Sequence, residues 1–221
     1  MKLKRAISYH ELASKKFKTM DLEGAFLDLI GKPERTGAWI IYGESGNGKT
    51  RFSLQLAKEL AKFSRIGYNS IEEGAKLTFQ RAIMETNLKP IARRFTIIPG
   101  DNLIELKQRL NRDKSPNIIF IDSIQYLTDG SEQHRNITHL EYKELISRFP
   151  TKLFIFISHA DKGEPRGAVA KAIKYDADVK IRVEGYKAFA ISRYGGNEAF
   201  TIWQEGADKY WQTPDAQAVN Y

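Results

Sequence analysis

The sequence predicts an α/β fold: a mainly parallel sheet flanked by helices, with antiparallel strands added at its C-terminal edge. Three observations predict it. Short apolar runs alternate with helical periods through most of the chain. Two of those runs, Ile118–Ile121 and Leu153–Ile157, are apolar throughout, as strands covered on both faces are. After residue 177 the pattern changes to strict alternation joined by short turns.

Taken in order, residues 1–20 form a Lys-rich arm or peripheral helix (Lys2, Lys4, Arg5, Lys15, Lys16, Lys18) with sparse apolar positions. Asp21 is placed to cap a helix over 22–30, stopped by Gly31 and Pro33. Strands are expected at 38–42, 66–71, 95–98, 118–121 and 153–157. Helices are expected at 48–63, 75–86, 102–111 and 139–149. From 177 to 183, Val179, Ile181 and Val183 face one way and Lys180 and Arg182 the other. Strands at 186–192 and 200–203 follow. The expected organisation is an arm to residue 20, one domain over 21–212 and a tail over 213–221. No internal repeat or low-complexity segment interrupts it.

A chain of 221 residues can bury one sizeable core, and 28% charged against 42% hydrophobic residues is an ordinary globular balance. The formal net charge is +8, which favours a polyanionic partner or simply confers solubility. With no cysteine there is neither a disulfide nor a thiolate metal site. No apolar run approaches the roughly 20 residues of a membrane span, and the basic start lacks the apolar core of a signal peptide. A cytoplasmic setting without a membrane partner is therefore expected. His10, His134 and His139 show no metal-ligand spacing. Trp39, Trp203 and Trp211 read as packing residues.

Gly43-Glu44-Ser45-Gly46-Asn47-Gly48-Lys49-Thr50 follows a strand and opens a helix, the setting of a phosphate-binding loop. Glycine lets backbone N–H groups turn toward phosphate oxygens, and the helix start adds its positive dipole end. Lys49 is expected on the β- and γ-phosphates and Thr50 on Mg²⁺, with Arg51 next to the loop. Asp122, closing the apolar run Ile118–Ile121, is the second acidic site expected to order the metal. Ser123 follows it where a catalytic Glu stands in some ATPases, so the base must come from elsewhere. The segment Tyr68-Asn69-Ser70-Ile71-Glu72-Glu73 supplies candidates, Glu72 first and Glu73 second; the other reading makes both helix caps.

Together these segments resemble the RecA-like ATPase core over residues 37–211. The resemblance is to the branch of RadA-type recombination proteins and ring helicases, and by size to short phage-type RecA-like ATPases. A bacterial or phage-infected cell is the setting this implies. The strand ending in Glu72 and Glu73 resembles the one that carries the family's catalytic Glu. The stretch from Ile121 to Gln125 resembles its second acidic motif. Phe156-Ile157-Ser158-His159 resembles the strand end that senses the γ-phosphate, with His159 at the sensing position. Asp178–Gly185 and Ser192-Arg193-Tyr194-Gly195 resemble the terminal hairpin. By that resemblance Arg193 reaches the ATP of a neighbouring subunit, implying a ring or filament. Ile191-Ser192 replaces the usual Lys-Asn before it, leaving one cation where some members have two.

The resemblance also directs two segments toward DNA: 128–138, with Arg135, and 161–174, with Lys162, Arg166, Lys171 and Lys174. Cations there would pair with phosphates. Gly163 and Gly167 would let the second segment reorder with nucleotide state. The leading expectation is an Mg²⁺-dependent ATPase assembling on single-stranded DNA for recombination, annealing or replication. The alternative is a KaiC-like nucleotide-gated switch that binds a protein. A small-molecule kinase would need an Arg-rich lid that the sequence lacks.

Overall fold

The computed structural model describes residues 5–212; the expected tail over 213–221 lies outside them. In chain order the elements are α1 (Tyr9–Ser14), α2 (Ala25–Ile30), β1 (Gly37–Gly43), α3 (Lys49–Leu60), β2 (Ile66–Ser70), α4 (Leu77–Glu85), β3 (Phe95–Ile98), α5 (Leu103–Leu110) and β4 (Ile118–Asp122). They continue with α6 (His139–Arg148), β5 (Leu153–Asp161), β6 (Glu164–Pro165), α7 (Ala168–Asp176), β7 (Val179–Glu184), β8 (Lys187–Ser192), β9 (Phe200–Thr201) and α8 (Gln204–Trp211).

The sheet runs β3-β2-β4-β5-β1-β7-β8-β9, and β6 folds back on β5. From β3 to β7 every neighbouring pair is parallel; β8 and β9 are antiparallel additions. Along β1 the period of two sends Trp39 and Ile41 to one face and Ala38, Ile40 and Tyr42 to the other. Each face has its own core. Leu29, Phe52, Leu56 and Phe79 bring α2, α3 and α4 onto one face. Leu106, Leu145 and Ile173 bring α5, α6 and α7 onto the other. Burial of each such side chain contributes about 1.5–3 kcal/mol, so both helical layers are firmly seated and the ends of the strands between them are fixed in position.

Besides end shifts of a few residues and the unexpected α8, which follows a β9 that ends at Thr201 rather than 203, three departures from the sequence reading stand out. First, α2 starts at Ala25 after Gly24, whose φ is 53°, so Asp21 caps nothing. Second, β5 continues to Asp161, beyond the end of its apolar run at Ile157. Third, most of the segment 161–174, expected as a loop free to reorder, is regular structure. Lys162 and Gly163, with φ of 51° and 76°, make the two-residue turn of a hairpin pairing Ala160 with Pro165 and Asp161 with Glu164. Gly167, with φ of 91°, then opens α7. The two glycines therefore serve a tight turn and a helix start.

Candidate active site

Parallel strands deliver their C-terminal ends to one edge, where α/β sheets bind ligands. Here β1 brings Gly43, β4 brings Asp122 and β5 brings Ser158 and His159, in register with Tyr42 and Gly43 of β1. Two residues past β2, the Glu72 N–H donates to the Asp122 carbonyl at 3.1 Å, which fixes Glu72 over the end of β4.

The loop Gly43–Gly48 is closely fitted. A Cβ on Gly43 would collide with the Val183 carbonyl of β7. Gly46 and Gly48 have φ of 81° and 97°, the left-handed region that favours glycine. Asn47 ties the loop to the β7–β8 turn: its Oδ1 accepts from the Gly185 N–H at 2.7 Å, and its carbonyl accepts from the Tyr186 N–H at 3.3 Å. Lys49 donates to the Glu44 carbonyl at 2.8 Å. Burial pulls the Lys49 ammonium below the ordinary lysine range, while Asp122, Glu72 and Glu44 pull the other way. Glu44 and Asn47 also line a cleft of about 330 Å³ with Lys162, Arg182 and Glu184. Arg51 points elsewhere, its guanidinium 5.5 Å from the Trp203 ring centre; from this position a phosphate contact would fall to the backbone N–H.

Asp122 is the most perturbed carboxyl of the site. Burial raises it to about 6, while the Tyr68 hydroxyl, donating to Oδ2 at 2.6 Å, holds it down. Tyr68 was not singled out in the sequence. It is fully buried on β2 between Phe79 and Phe120, and its own pKa is pushed well up by that burial and then by the Asp122 charge.

The two candidate bases separate. Glu72 meets His159, with Oε2 and Nε2 2.9 Å apart. An ionised carboxylate only accepts, so the Nε2–H of His159 is assigned as the donor. Glu73 instead accepts from the Thr78 hydroxyl at 2.7 Å, in the first turn of α4; among the described residues it takes no backbone N–H of that helix, whose N-cap is Lys76. The His159 backbone is held too. Its carbonyl accepts from the Arg166 N–H at 2.8 Å. Gln125 Nε2 donates to Ser158 Oγ at 2.7 Å and to the Arg166 carbonyl at 2.8 Å. Gln125 thus joins the end of β4, the end of β5 and the segment entering α7, a link the local sequence did not reveal.

The remaining candidates lie apart. Arg193 follows β8 at the other edge of the sheet, where Ser192 pairs with Val179. The length of β7 separates it from the phosphate loop, roughly 17 Å at about 3.3 Å per residue. Its guanidinium is largely exposed and meets Asp178 at 3.3 Å. Of the five cations expected to face DNA, two are internally paired. Arg135 binds Asp129 at 3.1 Å and Glu141 at 2.9 Å, holding the Glu141 carboxyl down to about 2. Lys174 donates to both oxygens of Glu164 at 2.8 Å. Lys162, Arg166 and Lys171 have no ion pair among the described residues.

The donor set fits a nucleotide-borne Mg²⁺. A hydroxyl and one carboxylate, Thr50 and Asp122, are what that ion takes from a protein when phosphates supply other oxygens. Among the described residues no group of three or more His, Cys, Asp or Glu could hold a metal without such help.

No family model and no curated protein matches the chain. Solved structures do. The crystal structure of the flagellar accessory protein FlaH from Methanocaldococcus jannaschii is similar with a TM-score of 0.58 and 21% identity, over 85% of this chain and 96% of that one. A KaiC-like protein from Pyrococcus horikoshii is similar with a TM-score of 0.59 and 16% identity, over 80% of this chain and 88% of that one. These likenesses establish the RecA-like fold: a mostly parallel sheet flanked by helices, with antiparallel strands at one edge. Among the described residues no helix is long and apolar enough to cross a membrane.

Proposed function

We propose that the chain is an Mg²⁺-dependent ATPase working as a nucleotide-gated switch, with a site completed by a neighbouring copy. The observation that carries this reading is the convergence of Lys49, Asp122, Glu72 and His159 at one sheet edge, with Arg166 hung on the His159 backbone. In this reading the N–H groups of the Gly43–Thr50 loop and the Lys49 ammonium hold the phosphates. Thr50 and Asp122 would hold Mg²⁺, which would supply positive charge against that of the phosphates. Glu72 orients the attacking water and takes its proton. His159 keeps Glu72 in place and passes its position through Arg166 to α7. Arg193, held rigidly by Ser192 Oγ donating to the Ile30 carbonyl at 2.6 Å, serves the neighbour's site. Its distance from its own loop and its exposed head support that assignment.

The experiment is steady-state ATP turnover with Mg²⁺, on wild type and Glu72→Gln. Turnover should fall by about 10²–10⁴ with nucleotide affinity kept. Unchanged turnover in Glu72→Gln would remove Glu72 from the mechanism, and no turnover in wild type would remove the ATPase reading.

A second reading, action on single-stranded DNA at this edge, is favoured by Lys162, Arg166 and Lys171, which form no ion pair among the described residues, and by the net charge of +8. It requires DNA to raise turnover, more at low salt than at high. The pairing of Arg135 and Lys174 within the fold ranks it below the switch.

A further inference from the structure

Cations stand at the start of five neighbouring strands, at the edge opposite the nucleotide site. Each parallel strand from β1 to β5 is closed by, or closely followed by, a carboxylate: Glu44, Glu72, Asp101, Asp122 and Asp161. At their starts stand cations: Arg35 before β1, Arg65 before β2, Arg93 and Arg94 before β3, Lys114 three residues before Asn117 and β4, and Lys152 before β5. The ladder carries these positions into one row. Ile66 N–H donates to the Arg94 carbonyl, Ile118 N–H to the Arg65 carbonyl, Leu153 N–H to the Asn117 carbonyl and Gly37 N–H to the Lys152 carbonyl, at 2.7, 3.2, 2.8 and 3.1 Å. Four strand spacings of about 4.8 Å make a row roughly 19 Å long.

Under the row lies a cleft of about 500 Å³ whose lining includes Lys18, Arg35, Thr36, Ser64, Asn117 and Thr151. Lys18 belongs there because its carbonyl accepts from the Arg35 N–H at 3.0 Å, which brings the basic arm to this edge. Among the described residues no carboxylate lies within ion-pair distance of Lys18, Arg35, Arg65, Arg94 or Lys152; Asp21, the acid nearest Lys18 in sequence, pairs with Lys32 instead, and Glu34 and Asp113, beside Arg35 and Lys114, form no ion pair. Arg94 and Lys152 use their donors on neutral acceptors. Arg94 takes the Ala61 carbonyl at 2.9 Å, and Lys152 takes Ser115 Oγ at 2.9 Å and the Pro116 carbonyl at 2.7 Å. Their charges therefore remain uncompensated. Burial, and then repulsion from Arg65, pulls the Lys152 ammonium below its ordinary range. A row of cations beside a recess that mixes polar Thr36, Ser64 and Thr151 with apolar Met20, Phe63 and Ile118 fits a phosphodiester backbone, whose phosphates take most protein contacts.

We infer that this edge, from Lys18 and Arg35 to Arg65, is a nucleic-acid backbone site separate from the nucleotide edge. At 3.4 Å of rise per nucleotide the row spans about five phosphates. A recess with directional donors suits a phosphate chain better than it suits a flat bilayer surface, and because phosphate contacts carry no sequence information, binding is sequence-tolerant. The inference rests neither on the ATPase reading nor on the assignment of Lys162, Arg166 and Lys171.

The test is fluorescence anisotropy of labelled 20-nucleotide DNA and RNA strands with the full chain, without ATP, at 50 and 200 mM salt. Wild type should bind in a salt-sensitive manner, the DNA and RNA arms showing which backbone is preferred. Lys18→Glu/Arg65→Glu should weaken Kd more than tenfold. Lys18→Gln/Arg65→Gln should flatten the slope of log Kd on log salt by about 1.4 on a single strand. Lys162→Glu/Lys171→Glu should stay within twofold of wild type, and thermal midpoints matching wild type will show that the variants are folded. Absence of salt-sensitive binding, loss confined to the Lys162/Lys171 variant, or capture by phosphatidylserine vesicles but by neither strand would each overturn the inference.

Discussion

The Glu72 carboxylate and the His159 imidazole meet at 2.9 Å across 87 residues of sequence. Glu72 comes from beyond β2 and His159 from β5; β4, with Asp122, stands between them. The contact therefore bridges over the residue proposed to order the metal. It also sets the Glu72 oxygens in place, since the other partner of Glu72 is a backbone bond to the Asp122 carbonyl.

If His159 positions Glu72, shortening it should damage turnover and spare binding. His159→Ala is expected to lower kcat by about 10² through misplacement of the carboxylate, with the affinity for ATP within threefold of wild type. His159→Gln keeps a donor and should recover most of kcat. Equal losses in the two variants would mean that the ring does something other than hold Glu72.

Asp122 makes a linked prediction about stability. Its ordinary value is 3.8 and burial raises it to about 6, so between those values the native state retains a proton that the unfolded chain releases. The stabilising contribution of the neutral acid is present below pH ~4 and is lost as pH rises through ~6. The shift corresponds to about 3 kcal/mol at ~1.36 kcal/mol per unit. Asp122→Asn, which removes the buried charge, should therefore be more stable than wild type at pH 7.5 by about 1–3 kcal/mol without nucleotide, and the gap should close by pH 4. Urea unfolding at the two pH values measures it. The same variant should gain no stability from Mg²⁺–ATP.

Among the described residues Tyr68 supplies the one side-chain hydrogen-bond donor to that carboxylate. Removing the hydroxyl in Tyr68→Phe lets the Asp122 pKa rise further. Since metal binding requires the ionised form, the rising limb of kcat/KM against pH should move to higher pH, while activity well above the limb changes less. A limb that stays in place would detach it from Asp122.

Much of this was legible because the chain writes its strand ends plainly. The apolar runs at Ile118–Ile121 and Leu153–Ile157 end in the residues that face the site, and the Gly43–Thr50 loop carries its own spacing. What escaped notice depends on neighbours in space. Tyr68 looks like any aromatic in a buried strand until β2 is paired with β4, which puts Ser70 beside Asp122. Gln125 acquires its three-way link only when β5 arrives. The segment 161–174 misled for a local reason: Gly163, Pro165 and Gly167 are loop residues by composition, and α7 buries only Ala170 and Ile173, too few apolar positions to reveal a helical period.

Asn47 holds the phosphate loop to the β7–β8 turn through the Gly185 N–H at 2.7 Å. Asn47→Ala leaves that half-buried donor without its acceptor, a cost of about 1–3 kcal/mol. The expected outcome is a lower unfolding free energy and weaker nucleotide binding together, because the loop and the turn share the bond. Full retention of nucleotide affinity would show that the loop holds its shape without the hairpin.

Arg193 and Lys49 allow the shared site to be tested by mixing. Arg193 lies a strand length from its own loop, while the backbone around it is fastened to α2, with Asn197 N–H donating to the Leu29 carbonyl at 2.9 Å and Glu198 N–H to the Asp28 carbonyl at 3.0 Å. The segment is therefore too firmly held to swing across the sheet. Its exposed head points outward with only a 3.3 Å tie to Asp178, which a phosphate could outcompete. Lys49→Ala and Arg193→Ala should each be inactive alone, since a finger of this kind contributes about 10³–10⁵ in rate. Mixed, some interfaces pair an intact loop from one variant with an intact Arg193 from the other, and activity should return in proportion to those interfaces, reaching up to a quarter of wild type in an equal mixture. No recovery at any ratio, when the two variants are shown to co-assemble, would return Arg193 to an ordinary surface role and make each site self-contained.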